Sequence, residues 1–498
     1  MTEHVDVLIV GAGLSGIGAA RHLQDAFPQR TYAILEARNA IGGTWDLFRY
    51  PGVRSDSDMH TLGYRFRPWT DAKAIADGPS ILQYVRDTAT EAGIDKRIRF
   101  GHRVIGADWS SSQARWTVRI EHDGETSELT CDFLYVCGGY YRYDRGFTPE
   151  FAGIGEFRGR VVHPQQWPED LDYAGKRVVV IGSGATAVTL VPALAESAAK
   201  VTMLQRSPTY ILSLPSVDAV ANRLRELLGP RRAYTITRWK NVAVATLIYQ
   251  LSQRRPAMMR GFIRSQTVKQ LPAGYDVDTH FKPTYGPWDQ RLCLVPDGDL
   301  FRAIRHGNAE VVTDRIERFT PDGLRLESGA ELEADIVVTA TGLDLLPIAG
   351  IELRVDGRTV ELPKTMAYKG MMLGDVPNFA FTIGYTNASW TLKADLVAEF
   401  VCRLLRYMDA RGYDSCTPTP DPAVDRRPLM DFQAGYVLRA LDRFPSAGTR
   451  QPWRLGMNYA QDVYTLRHGR IADGAMRFER REPQVVGEHE HGSEHATA

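Results

Sequence analysis

The chain has 498 residues, of which 44% are hydrophobic and 24% are charged, a composition typical of soluble globular domains. Its 60 Lys and Arg residues balance 60 Asp and Glu residues, so no overall field favours nucleic acid as a partner. Five cysteines without a CxxC pair indicate reduced thiols rather than a disulfide scaffold or a metal site. We therefore predict a cytoplasmic protein of two or three domains, without a signal peptide, a transmembrane helix or a bound metal.

The first predicted element is a short apolar strand at residues 5–10, which leads into a glycine-rich loop and then a helix. In such a loop the glycines allow a tight turn, close approach of a pyrophosphate, and close packing of the helix on the strand. Glu36 follows the loop by 20 residues, at the end of the next apolar segment, where a carboxylate accepts hydrogen bonds from an adenosine ribose. We predict that this unit binds FAD through Gly11, Gly13, Ser15, Gly16 and Glu36.

A second glycine-containing segment follows Glu36 and continues into a dense polar loop at residues 49–58. Glycine at this point would let the backbone approach the flavin, and the neighbouring Trp could cover a ring edge. We assign Gly43, Thr44, Trp45, Asp56 and Val104 to the same FAD site.

Residues 178–181 repeat the strand pattern before a second glycine loop, GSGATA, at residues 182–187. After the following strand no carboxylate occurs, and Arg206 and Ser207 stand in its place. A cation and a hydroxyl suit a 2′-phosphate, so this loop is predicted to bind NADPH rather than NADH. The expected contacts are Gly182, Ser183, Gly184, Ala185, Thr186, Arg206 and Ser207.

Strands alternating with helical stretches predict an α/β fold with two Rossmann-like dinucleotide-binding domains, for FAD and NADPH, and a helical insertion. The expected boundaries are 1–145 for the first part of the FAD domain, 150–214 and 285–340 for the NADPH domain, 215–284 for the insertion, and 341–481 for the C-terminal part of the FAD domain. The polar tail, 482–498, is predicted to be disordered. The insertion is rich in Arg and Leu, which is typical of a solvated helical face. A weak peripheral membrane contact or a partner surface is left open as the alternative.

Residues 157–168 read FRGRVVHPQQWP, the pattern FxGxxxHxxxWP, immediately before the second glycine loop. This pattern resembles the fingerprint of flavin-dependent Baeyer–Villiger monooxygenases. The Trp-Pro ending favours that family over the related flavin enzymes that oxidise nitrogen or sulfur. The segments GGTWDLFRYPGVRSDSD, WKN, GPWDQRLCLVP, TATGL and GYTNASWTLKADL are similar to mycobacterial members of the family. The fingerprint positions are Phe157, Gly159, His163 and Trp167.

The resemblance implies an enzyme that binds FAD, uses NADPH and O2, and converts apolar ketones to esters or lactones through a C4a-peroxyflavin. It also implies oxygenation of sulfur in thioamide prodrugs and sulfides. Arg291 matches the active-site arginine of the family, and Asp56 matches its acidic partner. A guanidinium that stays protonated can hold peroxide and oxyanion charge in a dry site. His163 and Trp167 are implied to act in domain motion and cofactor handling.

One position departs from the family pattern. Residue 290 is Gln, where many members have a Lys that contacts the NADP phosphate, so discrimination for NADPH would rest more on Arg206.

Three alternatives compete with this interpretation. A flavin N- or S-monooxygenase would share the two loops but lack ketone activity. A disulfide reductase would need a CxxC pair, and a flavin-bearing redox sensor would have no use for Asp56 and Arg291. A homo-oligomer is left open.

Overall fold

The structure of the chain is a computed structural model that describes residues 2–290, 292–430 and 432–481. Arg291 and the tail at 482–498, which was predicted to be disordered, lie outside the described residues.

The N-terminal part alternates strands and helices around the first glycine loop. Its elements are β1 (Glu3–Val10), α1 (Leu14–Ala26), β2 (Tyr32–Leu35), α2 (Thr44–Leu47), α3 (Met59–Leu62), α4 (Gly78–Glu91), a 3₁₀ turn at Asp95–Arg97, β3 (Ile98–Arg99), β4 (Arg103–Ser110), β5 (Arg115–His122) and β6 (Glu125–Val136).

The next part contains the second glycine loop and starts with the fingerprint. Its elements are a 3₁₀ turn at Ile154–Glu156, β7 (Arg160–Val162), a 3₁₀ turn at Pro164–Gln166, β8 (Arg177–Ile181), α5 (Ala185–Leu194), β9 (Lys200–Gln205) and β10 (Ile211–Leu214).

Helices occupy the region that was predicted as a helical insertion, and strands resume after it. The helices are α6 (Ala219–Leu228), α7 (Pro230–Arg254), α8 (Pro256–Gln270) and α9 (Val277–His280). The elements that follow are β11 (Cys293–Pro296), α10 (Asp299–Arg305), β12 (Ala309–Thr313), β13 (Ile316–Thr320), β14 (Gly323–Leu326), β15 (Glu331–Glu333) and β16 (Ile336–Thr339). Within the described chain, no helix is both long and apolar enough to cross a membrane.

The C-terminal part combines short strands with one long helix. Its elements are a 3₁₀ turn at Pro347–Gly350, β17 (Glu352–Val355), β18 (Arg358–Thr359), a 3₁₀ turn at Leu362–Lys364, β19 (Ala367–Tyr368), β20 (Met372–Leu373), β21 (Phe379–Phe381), α11 (Trp390–Asp409), β22 (Ser415–Pro418), β23 (Arg426–Pro428), α12 (Gly435–Leu438), a 3₁₀ turn at Leu441–Arg443, β24 (Ser446–Gly448), α13 (Tyr459–Asp462), a π-helical turn at Val463–His468 and β25 (Met476–Glu479).

The first sheet has nine strands among the described residues, in the order β18-β17-β4-β5-β6-β1-β2-β3, with β21 also pairing with β6. Strands β6, β1, β2 and β3 run parallel, and helices α1, α4 and α11 bury the apolar residues of one face. Strands β4 and β5 and the C-terminal part bury those of the other face. Strands β17, β18 and β21 come from the C-terminal part, so the chain returns to this sheet after leaving it. The register pairs Val10 with both Leu35 and Val136, which brings the ends of three strands together beside the first glycine loop.

The second sheet is entirely parallel, and its described strands follow the order β12-β9-β8-β16-β7. Strand β8 lies at the centre and ends at the second glycine loop, and α5 crosses over to β9. In parallel sheets of this kind, ligands bind beyond the carboxyl ends of the strands. The two glycine loops therefore mark the functional edge of each sheet.

A buried ion pair connects α11 to the C-terminal segment. Lys393 Nζ lies 2.8 Å from Asp462 Oδ2, and both side chains are almost fully shielded from solvent. The same oxygen accepts a hydrogen bond of 2.6 Å from the Tyr385 hydroxyl. Removing one partner would leave an uncompensated charge in the core.

We predict that Lys393→Met lowers the free energy of unfolding by about 3–5 kcal/mol because the Asp462 carboxylate stays buried without its cation. Urea unfolding of the purified protein checks this. As the control, Arg223→Gln removes one partner of the exposed Arg223–Glu226 pair and should change the free energy by less than about 1 kcal/mol. Equal effects of the two substitutions would contradict the prediction.

Candidate active site

A single continuous cleft of about 1290 Å³ lies between the two sheets and is lined by both glycine loops. Nearly every residue that the sequence predicted for cofactor binding lines this cleft. These are Gly11, Gly13, Ser15, Glu36, Gly43, Thr44, Trp45, Asp56, Val104, Gly182, Ser183, Gly184, Ala185, Thr186, Arg206 and Ser207. The exception is Gly16, which lies behind the first loop.

Steric constraints explain the glycines of the first loop. A Cβ atom at Gly16 would collide with the carbonyl oxygen of Gly11, and one at Gly11 would lie 2.9 Å from the carbonyl oxygen of Cys137. Gly11 also has a φ of +103°, which only glycine adopts readily. Helix α1 begins directly after Gly13, which makes no side-chain capping bond. Its first N–H groups therefore face the cleft, as a bound pyrophosphate requires.

Glu36 lies at the end of β2 and is buried in the cleft wall. Its Oε2 accepts a hydrogen bond of 2.7 Å from the Ala12 N–H, and its Oε1 accepts one of 2.9 Å from the Arg38 N–H. Burial raises the pKa of the Glu36 carboxyl, whereas these N–H groups act in the opposite direction. A carboxylate has more acceptor sites than these two bonds use, so it can still accept from a ribose hydroxyl.

The second glycine loop has the same strand–loop–helix geometry as the first, but only one of its two glycines is required by close packing. A Cβ at Gly182 would collide with the carbonyl oxygen of Ala340, whereas a Cβ at Gly184 would meet open space. Helix α5 begins after Gly184, again without a side-chain capping bond. Gly184 is therefore dispensable for the fold itself, and its small size leaves room for a ligand at the helix N-terminus.

Basic residues lie beyond the end of β9. Arg206 and Ser207 are exposed, and the Ser207 carbonyl accepts a hydrogen bond of 3.0 Å from the Ser183 hydroxyl. Arg315 follows β12, and the N–H of its neighbour Asp314 donates to the Gln205 carbonyl at 3.0 Å. Arg206, Arg315 and Gln290 all line the cleft. Sequence reasoning identified Arg206 but missed Arg315, because nothing local marks the end of β12 as part of the site.

Asp56 lines the cleft from the polar loop that follows α2. The neighbouring Arg54 is fixed by an ion pair with Asp299, at the start of α10. This pair ties the loop to the second sheet. Because Arg291 lies outside the described residues, its predicted pairing with Asp56 stays a prediction.

The fingerprint lies where the chain passes between the two sheets. His163 Nε2 is 3.2 Å from the Gly342 carbonyl oxygen, and its Nδ1 accepts a hydrogen bond of 3.2 Å from the Gln165 N–H. Burial lowers the pKa of His163, which favours the neutral imidazole that this arrangement needs. Gly342 belongs to the connection by which the chain returns from the second sheet to the first. His163 belongs to the outgoing connection, so this contact joins the two.

The other fingerprint residues pack against neighbouring parts of the chain. The Phe157 ring packs against Phe319 at a centroid distance of 5.9 Å, and Trp167 packs against Tyr173. A Cβ at Gly159 would collide with the Asp335 carbonyl oxygen. None of these three residues lines the cleft.

Two further walls of the cleft were not predicted. One is the connection at 138–144, and the other is the segment at 434–436 together with Arg439. The Arg439 guanidinium lies 3.6 Å from the centroid of the Phe147 ring. The Gly138-Gly139 pair after an apolar strand could have signalled the first wall, whereas the second arises from tertiary contacts alone.

We predict that Gly184→Ala leaves FAD content and the unfolding midpoint unchanged but weakens nicotinamide dinucleotide binding at least about tenfold, because the added methyl occupies space that the fold leaves open. Titration of the FAD-loaded protein with NADP⁺ measures the affinity. Unchanged affinity would show that the dinucleotide does not approach this helix. Gly16→Ala is the contrasting variant and should lose FAD.

Comparison with known proteins supports the assignment of two dinucleotide-binding units to a flavin-dependent enzyme. A family model described as flavin-binding monooxygenase-like matches residues 66–250, and a model of an NAD(P)-binding Rossmann-like domain matches residues 9–76. The FAD-containing monooxygenase EthA of Mycobacterium tuberculosis is 60% identical over 489 residues, covering 98% of this chain and 100% of that protein.

Solved structures share the fold. A steroid monooxygenase bound to NADP superposes with a TM-score of 0.77 at 24% identity, covering 96% of this chain and 100% of that one. A cyclohexanone monooxygenase from Rhodococcus bound to NADP⁺ gives a TM-score of 0.76 at 20% identity, with the same coverage. The predicted α/β fold and the resemblance noted in the sequence are thereby confirmed, and the chain belongs to the family of FAD-containing monooxygenases.

Proposed function

We propose that the chain is a FAD- and NADPH-dependent Baeyer–Villiger monooxygenase, which inserts one oxygen atom of O2 into an apolar ketone to give an ester or lactone. The observation that carries this proposal is the single cleft that both glycine loops and Asp56 line. Two dinucleotides bound at the two loops would meet in the same space, as transfer of a hydride from one to the other requires.

The residues present fit both cofactors. The N-terminus of α1, the loop glycines and Glu36 would hold FAD, and the N-terminus of α5 with Arg206 and Ser207 would hold NADPH. When bound, NADPH supplies a hydride, and FAD stores the electron pair and activates O2.

The remaining chemistry falls to side chains of the chain. Arg291 would hold the negative charge that develops on the substrate carbonyl oxygen, because a guanidinium stays protonated at any working pH. Asp56 would accept hydrogen bonds from that guanidinium and so fix its position. The contact between Arg439 and Phe147 would help to keep water from the site.

Phosphate recognition in the second loop would involve two arginines. Gln290 cannot supply the positive charge that a lysine would. Arg206 and Arg315 both line the cleft and form no ion pair among the described residues, so both guanidiniums are available for a 2′-phosphate.

The central prediction concerns the product. With NADPH and isotopically labelled O2, an aliphatic methyl ketone should give an ester that carries one labelled oxygen, detected by mass spectrometry. Arg291→Ala should retain FAD and lose ester formation, because oxyanion charge is no longer stabilised.

Methyl phenyl sulfide serves as the second substrate, since the resemblance also implies oxygenation of sulfides and thioamides. Sulfoxide formation beside ester formation agrees with the proposal. Sulfoxide formation without any ester would instead favour a flavin N- or S-monooxygenase.

We further predict that Arg206→Ala and Arg315→Ala each weaken NADP⁺ binding about tenfold to a hundredfold, as expected for loss of a hydrogen bond to a charged group, while leaving NAD⁺ binding unchanged. Arg325→Ala is the matched control, since Arg325 lies on nearby β14 and pairs with Glu317. Titration with each nucleotide measures the effect. A parallel loss of NAD⁺ affinity would contradict a role at the 2′-phosphate.

A further inference from the structure

The helical insertion carries a strong positive charge, which the zero formal charge of the whole chain does not reveal. Within it, helices α6, α7 and α8 (residues 219–270) contain eleven Lys and Arg residues and a single carboxylate, Glu226, which is a formal charge of +10. Since the complete chain has a formal charge of zero, the remainder carries −10. A segregation of this size indicates an anionic partner for this part of the surface.

About half of these cations are used within the protein. Arg238 is buried and donates to the carbonyl oxygens of His60 and Gly63, at 2.9 and 2.7 Å. Lys240 pairs with Asp218 at 2.7 Å, and Arg264 pairs with Asp278 at 2.7 Å. Arg223 pairs with Glu226, and Arg225 donates to the carbonyl oxygen of Asp71. Six other cations are exposed and form no ion pair within the described ranges: Arg231, Arg232, Arg254, Arg255, Arg260 and Lys269.

Helices α6, α7 and α8 also expose large apolar side chains. Leu227 on α6 is 64% exposed, Leu247 on α7 is 58% exposed, and Met258 on α8 is 52% exposed. They are accompanied by Val220, Leu228, Ile236, Val244, Phe262 and Val268.

On α7 the exposed apolar side chains lie on one side of the helix. On α7, Ile236 and Leu247 are eleven residues apart, which is about three helical turns and places them on one side. The opposite side of α7, with Tyr234 and Val242, is buried in the core of the first domain. The outward face of α7 therefore lacks a partner within the described chain.

We propose that α6, α7 and α8 dock this helix face on the surface of a bilayer that contains anionic lipids. Exposed apolar side chains enter the boundary between headgroups and acyl chains, and Arg or Lys side chains around them contact lipid phosphates. A nucleic acid would use the charge but leave the apolar residues in water, and a solvated helix would not expose so many of them.

The docking surface adjoins the proposed site. The Tyr249 ring of α7 packs edge-on against Trp288 at a centroid distance of 6.0 Å, and Ile263 of α8 packs in the same apolar cluster as Leu292. These contacts join the helices to the loop that carries Gln290. Delivery of an apolar substrate from the bilayer to the cleft would follow, and this consequence alone rests on the proposed function.

Flotation of the FAD-loaded full chain with lipid vesicles tests the docking directly. Vesicles of phosphatidylcholine and phosphatidylglycerol in equal parts should bind the protein at least about tenfold better than phosphatidylcholine alone, and raised salt should weaken this binding. Absence of binding, or equal binding to both vesicles, would overturn the proposal.

The double variant Leu227→Glu with Leu247→Glu should reduce binding to the anionic vesicles at least about tenfold, because it places carboxylates in the apolar face. Leu438→Glu is the matched control, since Leu438 is 54% exposed but lies outside these helices, and it should bind like the parent protein. If the double variant fails to fold, the variant Arg231→Gln with Arg232→Gln tests the same surface by removing two positive charges. It should likewise bind the anionic vesicles more weakly than the parent protein.

Two outcomes would count against the proposal at this stage. One is undiminished vesicle binding by both sets of variants. The other is a vesicle-independent dimer of the parent protein that the double variant abolishes, which would make this face a contact between copies of the chain. Both measurements are independent of catalysis, so a failure of the proposed reaction would leave them unaffected.

Discussion

The organisation of this molecule depends on one steric and electrostatic constraint, the close approach of phosphate groups to the N-terminus of a helix. Such an approach needs a helix start without a side chain, and Gly13 and Gly184 directly precede α1 and α5. Behind the first loop, Gly16 lets α1 pack closely, because a Cβ there would collide with the Gly11 carbonyl oxygen. The approach of a phosphate also needs free N–H groups, which α1 and α5 offer because neither begins with a side-chain cap among the described residues. The chain satisfies this constraint twice, and both solutions face one cleft.

The two sheets are joined by connections that run side by side. Tyr141 and Leu345 form an antiparallel bridge between the outgoing and the returning connection, and Phe147 N–H donates to the Gly342 carbonyl at 3.1 Å. His163 contacts the same carbonyl from the fingerprint segment. A residue at this place can influence how the two halves sit without touching a reacting atom, and its role in cofactor handling stays a prediction.

The sequence predicted the features that residues close together along the chain determine. Strand, glycine loop, helix and the residue at the end of the next strand follow one another along the chain, so Glu36 and Arg206 could be assigned before any contact was known. Arg315, Arg439 and the segment at 434–436 reach the cleft only through long-range packing, and no nearby residue pattern marks them. The charge of the helical insertion was visible in the sequence, but which apolar residues stay outside became clear only when the buried face of α7 was known.

We propose above all that the two loops bring two dinucleotides together in one cleft. Anaerobic mixing of the FAD-loaded protein with one equivalent of NADPH measures this most directly, by the loss of visible flavin absorbance. We expect complete and rapid bleaching. Binding of NADPH without reduction of the flavin would contradict it, because the two sites would then be too far apart for hydride transfer.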